Sequence, residues 1–552
     1  MSRFVKLAGA YRTHFLKDLP KIKPTCLPQK VTITGYVSRS TKLFFNVKCP
    51  ESGDTHELQI HTPENLHKQN LLSVDSAISI SGTLQERPEQ NRRSGQKLGN
   101  IELMCNDDDV NMFNQCVPAL HRNKLGSEDW KSSGMEYQYK NRFLGLRDGK
   151  LQSVLKERSR IIQRMRTFLH EEYDFTEIET PTLFSPTPGG AREFIVPSSY
   201  YSKKFYSLVQ SPQQFKQLLM IGGVNRYFQV ARCYRDEKLR DDRQPEFTQL
   251  DMEMSYVSRE EIMQLIENLL RFALLTRNIP DKFETMSYDT AMSCYGCDKP
   301  DTRYGMKISE IEFEGETKYE IDFSEYEIGA KKAKKLISNL KKHKEFEEKW
   351  ANSGCRISSG RITANSVEIL GEIRVALAKQ FLNLDSTNLN FLWVTDFPLF
   401  EAKENDIHRG DTQSQSELQT VHHPFTRPLS GKLETDFEAL KNCNSAAYDL
   451  VLNGQEVGGG SIRIHDPQMQ KQVFKILDIN KNGELDHIVR ALSGGAPPHG
   501  GIALGLDRLL AIILNVESIQ DVMAFPKSAG GKCYMSNAPV EIDQETRDVY
   551  HL

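Results

Sequence analysis

No apolar run in this chain of 552 residues approaches the roughly 20 that a helix needs to cross a bilayer, so nothing in it reads as a membrane span. Neither sign of charge dominates. A net charge of −3 with 26% charged residues excludes a uniformly basic coat for nucleic acid, so any such contact must come from local patches. The ten cysteines follow no repeating spacing, which excludes a disulfide framework and fits a reducing compartment. Cys294 and Cys297 form a single C-x-x-C with no second pair nearby, and a structural zinc site needs four ligands. Acids are missing from the first seventeen positions, MSRFVKLAGAYRTHFLK, where Arg3, Lys6, Arg12 and Lys17 precede the first one, Asp18. What remains is an ordinary globular composition, long enough for several domains that each bury a core.

The densest chemistry lies between Arg226 and Tyr256, RYFQVARCYRDEKLRDDRQPEFTQLDMEMSY. Two extended segments, Tyr227 to Arg235 and Glu246 to Tyr256, flank a charged loop from Asp236 to Arg243. Strand alternation puts every second residue on one face, which gathers Arg235 and Glu237 near the turn with Phe247 and Asp251 on the returning strand. Guanidinium, carboxylate and aromatic ring on a rigid sheet suit a nucleotide: phosphate, adenine amine and base face respectively. A charged hairpin with its polar face in solvent is the alternative.

The order R-D-E, basic loop, R-Q-P-E-F-T-Q-L-D resembles motif 2 of class II aminoacyl-tRNA synthetases, in the form of the aspartyl enzymes of bacterial and mitochondrial type (subclass IIb). Motif 1 is resembled by an amphipathic helix with Leu151, Val154, Leu155, Ile161, Ile162, Met165 and Leu169 on its apolar face, followed by the strand FTEIETP. Motif 3 is resembled by GIALGLDRLLAIIL, which carries Arg508. Three motifs in order, within a resemblance spanning roughly residues 30 to 540, are far more specific than one glycine pattern.

The expected fold is therefore α+β: an N-terminal OB-fold barrel, then an antiparallel-sheet class II catalytic domain with a small α+β insertion. The short strands VTITGYV, TKLFFNVK, HELQIHT, AISISGTL and NIELMC fit the barrel. The expected boundaries are an extension at 1–27, an anticodon-binding barrel at 28–120 and a hinge at 121–147. The catalytic domain follows at 148–285 and 391–552, split by an insertion at 286–390 that MSYDTAMSCYGCDKPDTRYGM introduces. Lysines in KKAKKLISNLKKHK, residues 331 to 344, either neutralise phosphates or form the solvated face of a helix. Phe4, Leu7, Tyr11 and Phe15 fall at helical spacing, so the basic N-terminus reads as a mitochondrial targeting segment or as a solvated arm. The first reading implies the mitochondrial matrix; if residues 1–25 are no such segment, the cytoplasm is implied.

The resemblance implies a ligase: ATP-dependent activation of L-aspartate to aspartyl-adenylate, then transfer to the 3′ end of aspartate tRNA, releasing AMP and pyrophosphate. Such chemistry asks for positioning and charge neutralisation rather than a covalent enzyme intermediate. Arg235 would bridge the amino-acid carboxylate and the α-phosphate; Phe247 and Arg508 would sandwich the adenine. Asp236, Glu237, Gln244, Gly505, Leu506 and Asp507 complete the implied ATP site, with Arg235 and Arg508 as its catalytic pair. Asp449 and Glu456 in YDLVLNGQEVGGGSIRIHDP match the two carboxylates that hold ATP-bound magnesium. Lys216 and Arg463 match the readers of the substrate β-carboxylate, Asp251 the support of that lysine, and Ser211 and Gln213 the contacts to the substrate's α-ammonium. His422 and His423 belong to a loop that closes over the amino acid. In the barrel, Phe44 matches a base-stacking position and Gln59 a base-edge contact.

This sequence departs from the family at SPTPGGAREF, where Gly189-Gly190 replaces the usual Glu-Gly of an ammonium-sensing loop; Glu193 is the nearest substitute. A catalytically silent RNA-binding relative could dispense with Arg235, Glu456 and Arg508, and an asparagine-forming ligase would not need the barrel. Neither signature motif of class I synthetases is present. Within the subclass, a pocket holding Lys216 and Arg463 disfavours lysine and gains little from asparagine. Charging of asparagine tRNA alongside aspartate tRNA stays open, and motif 1 implies a C2 homodimer.

Overall fold

A computed structural model describes residues 11–41, 44–49, 56–61, 73–106, 109–117, 134–147, 149–188, 190–237, 242–275, 277–313, 316–326, 328, 332–333, 335–336, 356–358, 366–403, 418–433 and 436–552. The first ten residues, the loop just before Glu57, Gly189 and most of the lysine run at 331–344 lie outside them. The chain divides into two compact units, Met1–Ser159 with Gln520–Val540, and Arg160–Ile519 with Glu541–Leu552. Among the described residues, no helix is long and apolar enough to cross a membrane.

In the first unit, β1 (Gln29–Ser40), β2 (Phe44–Lys48), β3 (Glu57–His61), β4 (Ala77–Glu86) and β5 (Ile101–Met104) close into a barrel of order β1-β2-β3-β5-β4, with β4 pairing back onto β1. The β3–β5 pair is parallel and the others antiparallel, the arrangement of an OB-type barrel. Alternation builds the core: Val31, Ile33 and Val37 of β1 point inward, against Ile78 and Ile80 of β4. A sixth strand, Val110–Asn114, adds to the outside of β4. Residues 16–21 do not continue the helical spacing read from the N-terminus; they form a 3₁₀ turn whose Leu16 and Leu19 are sealed into the barrel core.

The second unit is built on an eight-stranded sheet: β6 (Thr176–Glu177), β7 (Arg226–Tyr234), β8 (Glu246–Ser255), β9 (Glu284–Ser287), β10 (Phe391–Thr395), β11 (Ala447–Leu452), β12 (Gln455–Ile462) and β13 (His499–Gly505). Their order is β9-β10-β11-β12-β13-β8-β7-β6, antiparallel except for the two outermost pairs. Helix α1 (Gly149–Thr167) precedes it and ends in a wider turn, where Phe168 and Leu169 are buried. Helix α2 (Gln213–Ile221) brings Lys216 to the sheet. Helix α3 (Arg259–Ala273) starts at a capping box, in which Ser258 and Glu261 satisfy each other's backbone N–H groups. Its Ile262, Leu265, Ile266, Leu269 and Leu270 form one buried stripe. Where β12 and β13 pair, bulk is not tolerated. A Cβ on Gly460 would lie 2.3 Å from Gly501 O, and one on Gly501 would lie 2.0 Å from Met252 O. This closeness leaves the space above β8 for the side chain of Glu253.

The insertion has its own core, running from Tyr304 to Leu384 and formed by a three-stranded sheet and helix α5 (Ser366–Phe381). Met286 belongs to β9, a strand of the main sheet, so that sheet reaches past the first insertion residue expected. Helix α4 (Tyr288–Tyr295) links the two layers: Ala291 joins the core under β10, while the turn at Gly296 (φ 67°) presses on Gly371 of α5. Fully buried Arg374 of α5 donates to the carbonyls of Asp301, Tyr304, Gly305 and Met306 and lies over the rings of Tyr295 and Tyr304.

Candidate active site

Pairing of β7 with β8 sets Gln229 opposite Asp251 and Tyr227 opposite Glu253, so odd-numbered residues of both strands share one face. Arg235 follows the end of β7, where its N–H donates to Pro245 O at 2.9 Å. Its guanidinium stands 5.2 Å from the Phe247 ring centroid, and its Nε is buried without a partner. The next two residues are already paired: Asp236 with Arg192 and Glu237 with Arg243, each at 2.8 Å. Gln244 is buried.

Below this platform lies a sealed tetrad. Lys216 Nζ is 2.8 Å from Asp251 Oδ1 and 3.1 Å from Glu253 Oε2. Arg463 meets Glu253 with both prongs, Nε to Oε1 at 2.9 Å and Nη2 to Oε2 at 3.0 Å. Its Nη1 faces Ser461 Oγ and His423 Nε2, both at 2.6 Å, and Nη2 also reaches Gly501 O. All four charged residues are no more than 1% exposed. Burial favours a neutral Glu253, but Arg463 and Lys216 outweigh it and hold the carboxyl at about 2. For Asp251 burial wins over Lys216, and its pKa is raised. Burial, then Arg463, keeps His423 neutral, well below its usual value. A neutral ring has one N–H and one acceptor nitrogen, and Nδ1 already accepts from Phe425 N at 3.2 Å. Arg463 Nη1, which can only donate, stands 2.6 Å from Nε2, so two N–H groups compete for a ring with one acceptor nitrogen. The contact is frustrated.

A second cluster sits where β11 meets β12. Asp449 pairs across to Gly459, and a Cβ there would stand 2.9 Å from Asp449 Oδ1 and 3.7 Å from Glu456 Oε1, so both acids converge on the bare glycine. Among the described residues no group of three or more side chains that could hold a metal occurs, so two carboxylates are what these residues offer here. That set fits magnesium, which takes few protein oxygens and completes its shell with phosphate and water. His422 Nε2 lies 3.1 Å from Asp449 Oδ1; burial pushes its pKa down, but Asp449 outweighs this and raises it.

Helix α6 (Leu506–Ile513) follows β13 directly. Arg508 donates to Glu456 O at 2.8 Å and to Asp242 Oδ2 at 3.1 Å. Its neighbours in G-L-D-R face elsewhere. Leu506 is fully buried in the core, Gly505 pairs with Gln249, and the Asp507 carboxylate accepts from Thr248 N at 2.8 Å, tying α6 to β8. Ser211 and Gln213 lie at the start of α2, and the buried Nε2 of Gln213 has no partner. Gly190 is closely packed, for its Cβ would meet Gln210 Nε2 at 2.7 Å. Glu193 accepts from Gln210 and Thr187 N through one oxygen, leaving the other buried and unpaired.

In the barrel, Phe45 is core and Phe44 lies half-buried on the opposite face, 6.2 Å from the His61 ring. Gln59 does not present the free amide expected of a base-edge contact. It is 8% exposed, its oxygen accepts from Arg93 and its nitrogen meets His61.

Sequence reading gathered Arg235, Phe247, Lys216, Asp251, Asp449, Glu456, Arg463 and Arg508, which the fold places on one sheet with its flanking helices. It missed Glu253, two residues beyond Asp251 on the same face, and Ser461, two before Arg463; strand alternation could have found both. It also missed Lys299, for which spacing gives no signal.

Barrel, sheet order and site together define a class II tRNA synthetase. The chain belongs to the family of tRNA synthetases class II (D, K and N), whose pattern matches residues 134–529. It is 38% identical to the mitochondrial aspartate–tRNA ligase of Mus musculus over 96% of this chain and 88% of that one. It is 35% identical to the aspartate–tRNA ligase of Thermosipho melanesiensis, over 97% and 96%. The aspartate–tRNA(Asp/Asn) ligase of Hydrogenobaculum sp. is 36% identical over 86% and 88%. A solved structure described as a putative aspartyl-tRNA synthetase from Leishmania major shares the fold at TM-score 0.60 and 18% identity, covering 95% of both chains.

Proposed function

We propose that this chain is an aspartate–tRNA ligase, activating L-aspartate with ATP and passing it to the 3′ end of aspartate tRNA. The observation that carries this reading is the frustrated contact between Arg463 Nη1 and His423 Nε2 at the mouth of a charge-balanced tetrad. A carboxylate entering there accepts from Arg463 Nη1, from the His423 N–H and from the Lys216 N–H that Asp251 and Glu253 leave free. An amide offers one acceptor instead of two and a donor facing cations. Lysine brings a third cation.

Arg235, with its unpaired Nε, receives the α-carboxylate and the α-phosphate as charge develops between them. Phe247 and Arg508 bracket the adenine, provided Asp242 releases the arginine. Gln213 Nε2 and Ser211 line the amino-acid side. Asp449 and Glu456 hold magnesium, which supplies charge neutralisation for the phosphates. On this reading Glu237 and Asp236 exchange their loop partners for nucleotide. Phe44 serves the tRNA anticodon, and the working form is a C2 homodimer located, like the mammalian relatives by their names, in mitochondria.

Aminoacylation with purified aspartate and asparagine tRNAs, scanning amino acids, tests the proposal. Aspartate-specific charging of aspartate tRNA is expected, and failure to charge either tRNA with aspartate sinks it. Charging of both would assign the broader specificity named for the Hydrogenobaculum relative. Arg235→Ala should lower the activation rate by about 10²-fold or more while the protein stays folded.

A further inference from the structure

Lys299 comes from the turn after α4, in Y-G-C-D-K-P, far along the chain from Glu456, which it meets. Its Nζ stands 2.8 Å from Glu456 Oε2 and 3.2 Å from Asp298 Oδ2. The turn is held firmly on both sides. Gly296 is pressed against Gly371, and Asp301 receives Arg303 on its carboxylate and Arg374 on its carbonyl. The lysine and Glu456 side chains are each about a third exposed, at 36% and 35%, so their pair opens to solvent and is not locked in a core. Glu456 thus has one oxygen on Lys299 and the other turned toward Gly459 and Asp449.

We propose that Lys299 is the resident counter-cation of this acid pair and, once a divalent cation takes the carboxylates, a contact to the outer phosphates of ATP and of the pyrophosphate product. The proposal rests on the ATP-dependent reading above. An ammonium and a divalent cation on one carboxylate repel each other, so they exchange rather than share it. The arriving polyphosphate brings the new negative charge, and a lysine on a four-carbon stem reaches it without moving the anchored turn. Arg235 and Arg508 lie on other elements, so Lys299 would be the cation supplied from the insertion side.

The test uses the full chain, with Lys299→Met and Lys299→Arg. Manganese binding without nucleotide, read by electron paramagnetic resonance, should tighten about two- to fivefold in Lys299→Met, the range set by losing one partly exposed ion pair. In aspartate-dependent pyrophosphate exchange, the KM for pyrophosphate should rise at least about fivefold in Lys299→Met while the KM for aspartate stays put, and Lys299→Arg should restore most of it. Unchanged or weaker manganese binding in Lys299→Met overturns the proposal, as does a parallel rise of both KM values. If the unmodified protein shows no aspartate-dependent exchange, the functional reading fails, and the manganese measurement still decides whether Lys299 competes with metal.

Discussion

Arg463 and Glu253 are joined by two parallel charge-assisted hydrogen bonds, 2.9 and 3.0 Å long, with both side chains sealed from solvent. Glu253→Ala should therefore cost about 3–5 kcal/mol, because it strands a buried guanidinium rather than merely deleting a contact. Urea unfolding of the two proteins measures it. A loss below about 1 kcal/mol would mean that Asp251 takes over the arginine, contrary to the geometry.

The same pair predicts an acid dependence. Glu253 is held at about 2 in the fold against an ordinary 4.5, a depressed value. Its stabilisation is therefore complete above about pH 4.5 and disappears as pH falls toward 2, amounting to about 3 kcal/mol. Asp251 has the opposite sign: its raised pKa favours the fold at low pH, and that contribution is lost as pH rises through the folded value. The stability gap between the unmodified protein and Glu253→Ala should shrink between pH 4.5 and 2. A gap constant across that interval contradicts the assignment.

Charge balance within the tetrad separates two substitutions at one ion pair. Lys216→Met leaves one cation against two acids, so a substrate carboxylate meets net negative charge; the KM for aspartate should rise about 100-fold or more. Asp251→Asn leaves Lys216 paired with Glu253 at 3.1 Å and makes the site net positive. Its aspartate KM should change less than about tenfold. Equal losses in the two variants would show that geometry, not charge, governs the pocket.

Much of this was legible in the chain because it depends on short-range rules. Alternation along β1 and β8 marks buried faces, and the helical stripe of α3 marks a third. Glu253 escaped because a glutamate in a strand usually meets solvent, and only the approach of Arg463, more than two hundred residues away, changes that. Gln59 misled for the converse reason: nothing local shows that Arg93 and His61 already hold its amide. Leu506 and Asp507 share a motif with Arg508, yet a helix turns successive residues by about 100°, so only Arg508 of the three reaches Glu456 and Asp242.

Gly459 is the floor on which the acid pair converges. Gly459→Ala would place a methyl 2.9 Å from Asp449 Oδ1, and the carboxylate must rotate away. Magnesium-dependent steps should weaken about tenfold or more, with little change in aspartate affinity measured without nucleotide. Gly501→Ala should behave differently, since its methyl would lie 2.0 Å from Met252 O, a backbone atom of a central strand. Overpacking there should destabilise by several kcal/mol or prevent folding, seen as loss of soluble protein. A soluble Gly501→Ala protein of unchanged stability would disprove the close strand approach.

The basic N-terminus offers a last test, because the barrel claims part of it. Leu16 and Leu19 are 2% and 1% exposed within the barrel core, and Thr13 N donates to Thr32 O of β1 at 2.8 Å. Removing residues 1–10 leaves these contacts in place, whereas removing 1–25 takes both leucines out. Deleting a buried leucine side chain costs about 2–5 kcal/mol, so loss of two should melt the barrel or expose its core. Leu19→Ala should lower the unfolding midpoint, and removal of 1–25 should lower it further than removal of 1–10 does. Equal stability of the two truncations would show that the segment from Leu16 to Lys21 is an appendage rather than a wall of the barrel.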